Sequence, residues 1–214
     1  MSNSLTTQWF LEKGLSRICP SYDLNREQLI ELLEHVDPSL VEITVHQYMP
    51  TFHMEHCVFA AFLSSGSSYR DCGRPCEQRR VELRDPSGAL HPLKADAECR
   101  NTMFNGTPQS AISLIPTLQD RGVSTFRVEG LFETPEVLRA KIEAYANAIY
   151  QHAPQEEVLR QLGVVERFGV TEGQLYNIRG YRDRKKDFTP LSAITDSPDP
   201  GLRHVSKVHT DSPA

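Results

Sequence analysis

Four cysteines, Cys57, Cys72, Cys76 and Cys99, fall in one stretch of the chain. Thiolates are soft ligands, and four of them in a single segment suit an iron–sulfur cluster or a tetrahedral zinc ion. Gly73 and Pro75, between Cys72 and Cys76, favour a turn that aims both sulfurs at one point. A structural zinc module usually carries two close pairs. One pair with two singletons fits a cluster better than a zinc ribbon, with buried, unliganded thiols as the third reading. Cys19 stands apart in a predicted apolar strand, where it would pack as a small hydrophobe. Arginines crowd the same segment: Arg70, Arg74, Arg79, Arg80, Arg84 and Arg100. Guanidinium groups would lower the cost of charging an anionic cluster. The plainer alternative is surface charge balanced by Asp71, Glu77, Glu82 and Asp85.

A second group surrounds the end of a predicted strand. His46 sits at that end, followed by His53, Glu55 and His56. Arg127 and Glu129 lie near the end of a later strand, two residues apart and so on one face. In parallel α/β folds, ligands collect at the carboxyl ends of strands. A carboxylate, an imidazole and a guanidinium there can bind and polarise a substrate. Each taken singly is more often a structural hydrogen-bonder. The order His53-Met54-Glu55-His56 is not the His-Glu-x-x-His arrangement of a zinc hydrolase. There is no Gly-x-Ser-x-Gly elbow and no phosphate loop. Arg179, Arg182, Arg184, Lys185 and Lys186, with Tyr181, form a basic run that suits RNA phosphates or simply a solvated face.

These residues need elements to hold them. Leu15–Cys19 reads as a strand. A helix starts at Asn25, with Gln28 as its capping-box partner and Leu29, Leu32, Leu33 and Val36 at helical spacing. Leu40–Val45 and Thr125–Gly130 read as strands. Thr134 caps another helix, with Pro135 at its first position and Leu138, Ile142, Tyr145 and Ile149 as its apolar stripe. Val81–Arg84 and Leu90–Leu93 flank the turn Asp85-Pro86-Ser87-Gly88 as a hairpin. Strands alternating with helices argue for an α/β fold with parallel strands. Three such strands are too few to close a barrel. The expected organisation is an α/β body over 1–150 interrupted by a cysteine-rich insert at about 50–124, a helical and basic extension over 151–188, and a mobile polar tail over 189–214.

Composition narrows the classes. The chain has 214 residues, 39% apolar, with Lys plus Arg 23 against Asp plus Glu 28 and a net charge of −5. Such a balance does not make a polyanion binder by bulk charge, though a local basic patch is compatible with it. No apolar run approaches the roughly 20 residues that a membrane span needs. The first residues do not read as a secretory signal, so a reducing, cytoplasmic setting is expected, with thiols or metal ligands rather than disulfides.

Taken together, the motifs resemble a known family. Glu42-Ile43-Thr44-Val45-His46, Met49 through Cys57, Cys72-Gly73-Arg74-Pro75-Cys76 and Ala95 through Thr102 are similar to the collagenase-like peptidases of unknown catalytic type, family 32 of the unclassified peptidases. Phe126-Arg127-Val128-Glu129-Gly130 resembles the Lys-Ile-Glu-Gly signature of that family's last barrel strand. The resemblance covers about Trp9 to Gln151. It implies a (β/α) barrel domain, of which this chain would hold only the C-terminal strands. It also implies a 4Fe–4S cluster on Cys57, Cys72, Cys76 and Cys99, with zinc as the alternative. Family functions are mixed: collagen-degrading peptidases, and oxygen-independent hydroxylation of RNA bases or of ubiquinone precursors, with prephenate implicated as a hydroxyl source. The leading expectation is an iron–sulfur module for hydroxylation of an RNA base or quinone precursor, with His46, Arg127 and Glu129 lining the pocket. A peptidase using His56 beside Cys57, and a non-catalytic subunit that needs a second chain to supply the N-terminal half-barrel, are the other two.

Overall fold

The structure is a computed structural model and describes residues 1–66, 68–166 and 169–175. The elements run α1 (Ser4–Glu12), α2 (Arg26–Glu34), β1 (Glu42–Gln47), β2 (Pro50–Met54), α3 (Val58–Leu63), α4 (Pro75–Gln78), β3 (Val81–Arg84), β4 (Leu90–Ala95), β5 (Asn101–Phe104), β6 (Gln109–Ser110), α5 (Ile115–Asp120), β7 (Thr125–Val128), α6 (Pro135–Tyr150) and α7 (Gln155–Val165). They divide into two compact units, one built from 1–47 with 107–175, the other from 48–106. The basic run at 179–186 and the tail at 189–214 lie outside the described residues.

The first unit is a three-stranded sheet in the order β6-β1-β7 with helices packed on it. β1 and β7 are parallel, Ile43 facing Phe126 and Thr44 facing Arg127. The register then slips, so that His46, not Val45, faces Val128. β6 runs antiparallel to β1, with His46 opposite Ser110. The local rules for the helices hold. Asn25 accepts from the Gln28 amide at 2.9 Å and Gln28 Oε1 accepts from the Asn25 amide at 3.0 Å, a closed capping box that stabilises α2 by about 1 kcal/mol. Leu29, Leu32 and Leu33 of α2 are buried. Thr134 caps α6 through the Val137 amide. The core joins these helices to Ile43 and Val45 of the sheet, with Leu118 of α5 and Val158 and Leu162 of α7.

Two sequence expectations need correction here. Leu15–Cys19 is not a strand: only Ile18 pairs, by a single bridge to Val41. Two positions do not extend a ladder, and the exposed side chains of Leu15 and Arg17 give the segment no buried face. The stripe of α6 is borne out at Tyr145, which is buried, and at Ile149, which packs against the core, but not at Ile142. Ile142 is 49% exposed, whereas Lys141, one residue earlier, is 1% exposed. The buried face runs Lys141, Ala144, Tyr145, Ala148. A cation has taken a core position, and its partners explain why. α1, which no apolar periodicity announced, is fixed by the Asn3 cap on the Thr6 amide at 2.8 Å.

The second unit is a four-stranded antiparallel sheet in the order β2-β5-β4-β3. Phe59, Val81 and Leu93 form its small core, with Cys57, Cys76 and Met103 against them. The expected hairpin is present, Val81 opposite Leu93 and Arg84 opposite Leu90. No barrel closes among the described residues, whose strands fall into two separate sheets.

The hairpin turn carries a pH prediction. Asp85 accepts from the Ser87 hydroxyl at 2.7 Å, the Ala89 amide at 2.9 Å and the His91 ring at 3.2 Å. The Ser87 hydroxyl foremost, then His91, pull its carboxyl from 3.8 down to about 2. A depressed folded value means that the contribution is complete above the ordinary value and is lost as pH falls through the folded one. Hydrogen exchange at the Ala89 amide should therefore accelerate between pH 4 and 2, beyond the intrinsic rate. An Asp85→Asn chain should exchange fast throughout, and equal protection in the two chains would refute the assignment.

Candidate functional site

The first unit holds a buried polar chain at the carboxyl end of β1. His46 is 0% exposed, and Glu166, Lys141, Tyr145 and Ser110 are all below one-twentieth. The imidazole of His46 packs against Tyr145 of α6, with the ring centroids 5.6 Å apart. Tyr145 reaches His46 Nδ1 at 3.1 Å and Ser110 Oγ at 2.6 Å. Burial pushes the Tyr145 phenol above its ordinary range, the Ser110 hydroxyl partly opposes this, and the Glu166 charge adds to it, so the phenol keeps its proton. One assignment satisfies every group: Ser110 donates to Tyr145, Tyr145 donates to Nδ1, and the Nε2 proton faces Glu166 Oε1 at 2.9 Å. The same carboxylate oxygen pairs with the Lys141 ammonium, which also pairs with Glu133. Glu133 follows β7, and its other oxygen accepts from the Leu131 and Phe132 amides. Burial raises the Glu133 carboxyl, but the Lys141 bond and the backbone donors outweigh it, and it titrates below its ordinary value. Strand end, loop and two helices are thus tied by one run of charge. Within this run the imidazole is a held group, and the backbone carbonyl of His46 accepts the Glu129 amide at 2.9 Å.

Arg127 and Glu129 have a different setting. Both side chains are nearly half exposed and stand 3.5 Å apart. Arg127 also grips Glu42, at 2.5 Å, and this bond foremost, together with the Glu42 and Glu129 charges, holds its guanidinium above its ordinary value despite partial burial. Cys19 lies in this neighbourhood, its sulfur 3.7 Å from the Thr44 hydroxyl. So His46 is buried with Tyr145 and Glu166, which no motif had singled out, whereas Arg127 and Glu129 pair at the surface. Lys141 carried the signal that could have revealed the network: a charge within an otherwise apolar helical stripe.

The second unit contains Cys57, Cys72, Cys76 and Cys99, all partly buried and free. Burial foremost, then the negative charge of Cys57 and lesser contributions from Glu77 and Cys72, push the Cys76 thiol up, so Cys57, Cys72 and Cys76 share one electrostatic neighbourhood. Asn101, itself 0% exposed, ties in Cys99: its Nδ2 donates to the Cys99 carbonyl at 3.3 Å and lies 3.8 Å from Cys57 Sγ. Its Oδ1 accepts from the Val58 amide at 2.7 Å, which fixes the start of α3 behind Cys57. The loops around the sulfurs are strained. Gly73 has φ 70°, Arg74 φ 51° and Cys99 φ 64°, left-handed conformations that cost a non-glycine residue about 1 kcal/mol or more. A Cβ at Gly66 would stand 2.4 Å from the Asp71 carbonyl, so the chain can pass close to Cys72 only with glycine there. Among the described residues these sulfurs do not form a group of three gathered as ligands of one metal ion. A tetrahedral zinc ion with bonds of about 2.3 Å needs sulfurs about 3.8 Å apart. A cubane seats its thiolates on a wider frame, and four neighbouring soft donors fit it by chemistry. His56 is exposed in this unit beside Cys57, and its neighbour His53 contacts the Thr102 hydroxyl at 3.0 Å.

Among the described residues, no helix is long and apolar enough to cross a membrane. Comparison with known proteins places the chain. It is 22% identical over 149 residues to the tRNA hydroxylation protein P2 of Bacillus subtilis (strain 168), a match that covers 69% of this chain and 48% of that protein. The chain therefore spans about half the length of this curated relative. No solved structure matches it. The sequence model of Peptidase family U32 matches residues 1–181, which include every element described above. On that match, the chain belongs to peptidase family U32.

Proposed function

We propose that this chain is a U32 module serving hydroxylation of an RNA base, with tRNA as the first substrate class to test. The observation that carries this reading is its similarity to tRNA hydroxylation protein P2. The four thiols of the second unit support it, since their chemistry suits a 4Fe–4S cluster. Cys57, Cys72, Cys76 and Cys99 would hold the cluster, which when bound supplies one-electron chemistry. Arg127 and Glu129 are exposed at the end of β7 and would bind and orient the substrate. His46 acts as a positioning residue, its carbonyl fixing the Glu129 amide. His56 is the exposed acid–base group of the second unit.

The parallel β1–β7 pair with its helices is, in this reading, part of a (β/α) barrel, and a second chain supplies the remaining strands. Hydrolysis of polypeptides draws only on His56 beside Cys57.

The test is mass spectrometry of nucleosides from tRNA digests. A strain lacking the gene should lose a nucleoside one oxygen heavier than its precursor. The native gene should restore it and a Cys72→Ser gene should not. An unchanged nucleoside profile in the deletion strain would remove the hydroxylation reading, and peptides released from denatured collagen would favour the hydrolytic one.

A further inference from the structure

His46, Glu133 and Glu166 each turn one ligand atom toward a common point, and the three atoms lie within 4.8 Å of one another. They come from three separate elements: β1, the loop after β7, and the end of α7. The side chains are 0%, 8% and 2% exposed. Two carboxylates at that depth require positive charge beside them. One cation is present, the Lys141 ammonium, which touches both. Imidazole nitrogen with two carboxylate oxygens is also the donor set that suits divalent ions such as Mn²⁺.

We propose that these residues form a divalent-cation site whose single cation position is held by the chain's own Lys141, so that ammonium and metal ion are alternative occupants. Metal entry exchanges the two ammonium–carboxylate contacts for two metal–oxygen bonds. It adds a metal–nitrogen bond at His46 Nε2, and the proton on that nitrogen leaves to solvent. The preferred ion is a hard or borderline one, which separates this site from the soft thiolate site of the second unit. Lys141 is then a built-in lock: the ammonium offsets one of the two carboxylate charges without metal, and any change that withdraws it exposes a ready ligand set.

The probe is Mn²⁺, titrated against the full chain and followed by the loss of the free-ion paramagnetic resonance signal. Lys141→Met removes the charge and keeps most of the side-chain bulk. The native chain should bind Mn²⁺ weakly, and the variant should bind one ion on the order of 100-fold more tightly, because a competing charge a few ångströms away is gone. Adding Glu166→Gln to that variant should abolish the gain, while adding Cys72→Ser should leave it intact. If Lys141→Met fails to fold alone, refolding from urea with Mn²⁺ should recover the native circular dichroism, and refolding with Na⁺ at equal ionic strength should not. Equal Mn²⁺ affinity in the native and Lys141→Met chains, a gain that survives Glu166→Gln, or no Mn²⁺-dependent refolding would each overturn the proposal.

Discussion

Glu166→Gln should lower the stability of the first unit by about 3–5 kcal/mol, read as a fall in the urea midpoint with little change in slope. The substitution is nearly isosteric, so it leaves the packing of α7 in place and removes only charge. Glu166 faces His46 Nε2 at 2.9 Å and also pairs with Lys141, and its side chain is 2% exposed. Without that charge the ammonium loses one of its two carboxylate partners, and an amide group faces the imidazole. Removing one member of a buried charged set costs far more than the set contributes in balance, because the remainder stays desolvated. Tyr145→Phe tests the neutral end of the same chain and should cost less, about 1–3 kcal/mol, by leaving the Ser110 hydroxyl and His46 Nδ1 short of a partner. Acid should act on the charged end. Glu133 titrates below its ordinary 4.5, so its contribution is complete above that value and disappears as pH falls through the lower folded one. A Glu166→Gln chain as stable as the native one would show that the network contributes nothing to the fold.

The second large effect concerns iron. Chain purified without oxygen should carry about four iron and four sulfide per molecule, the content of one cubane cluster. Cys72→Ser or Cys76→Ser should each leave less than about one iron, because each thiolate anchors one iron of the cubane and its loss opens the cluster to breakdown. Cys19→Ser is the internal control. Cys19 belongs to the first unit, beside the Thr44 hydroxyl, and its loss should leave the iron unchanged. Stoichiometric zinc in a colourless protein, or iron content indifferent to Cys72, would end the cluster reading.

Much of the local structure was legible because it obeys short-range rules. The Asn25 capping box, the Thr134 cap and the Asp85–Gly88 hairpin turn each depend on a few adjacent residues, and each stands as expected. The cysteines could be singled out because thiols are few and chemically distinct. The buried charge chain was not legible, for physical reasons. Glu133 and Glu166 look like ordinary surface residues, and only long-range packing brings them to Lys141, whose place in an apolar stripe was the one local sign. In the same way, a regular pleat puts Thr44 and His46 on one face, yet Thr44 lies with exposed Arg127 while His46 is fully buried. The second sheet was half seen: β3 and β4 have turn chemistry between them, but β2 and β5 pair across a long separation that no local signal marks.

That slip between Thr44 and His46 makes one surplus residue decisive. Val45 is the uncounted position: before it buried Val41 and Ile43 alternate with the partly exposed Glu42 and Thr44, whereas Val45, His46 and Gln47 are buried in succession. Loss of a single codon there would move the imidazole off Tyr145 and Glu166 while leaving every side-chain identity around it intact. Among relatives, gap placement at this position is therefore more telling than residue identity.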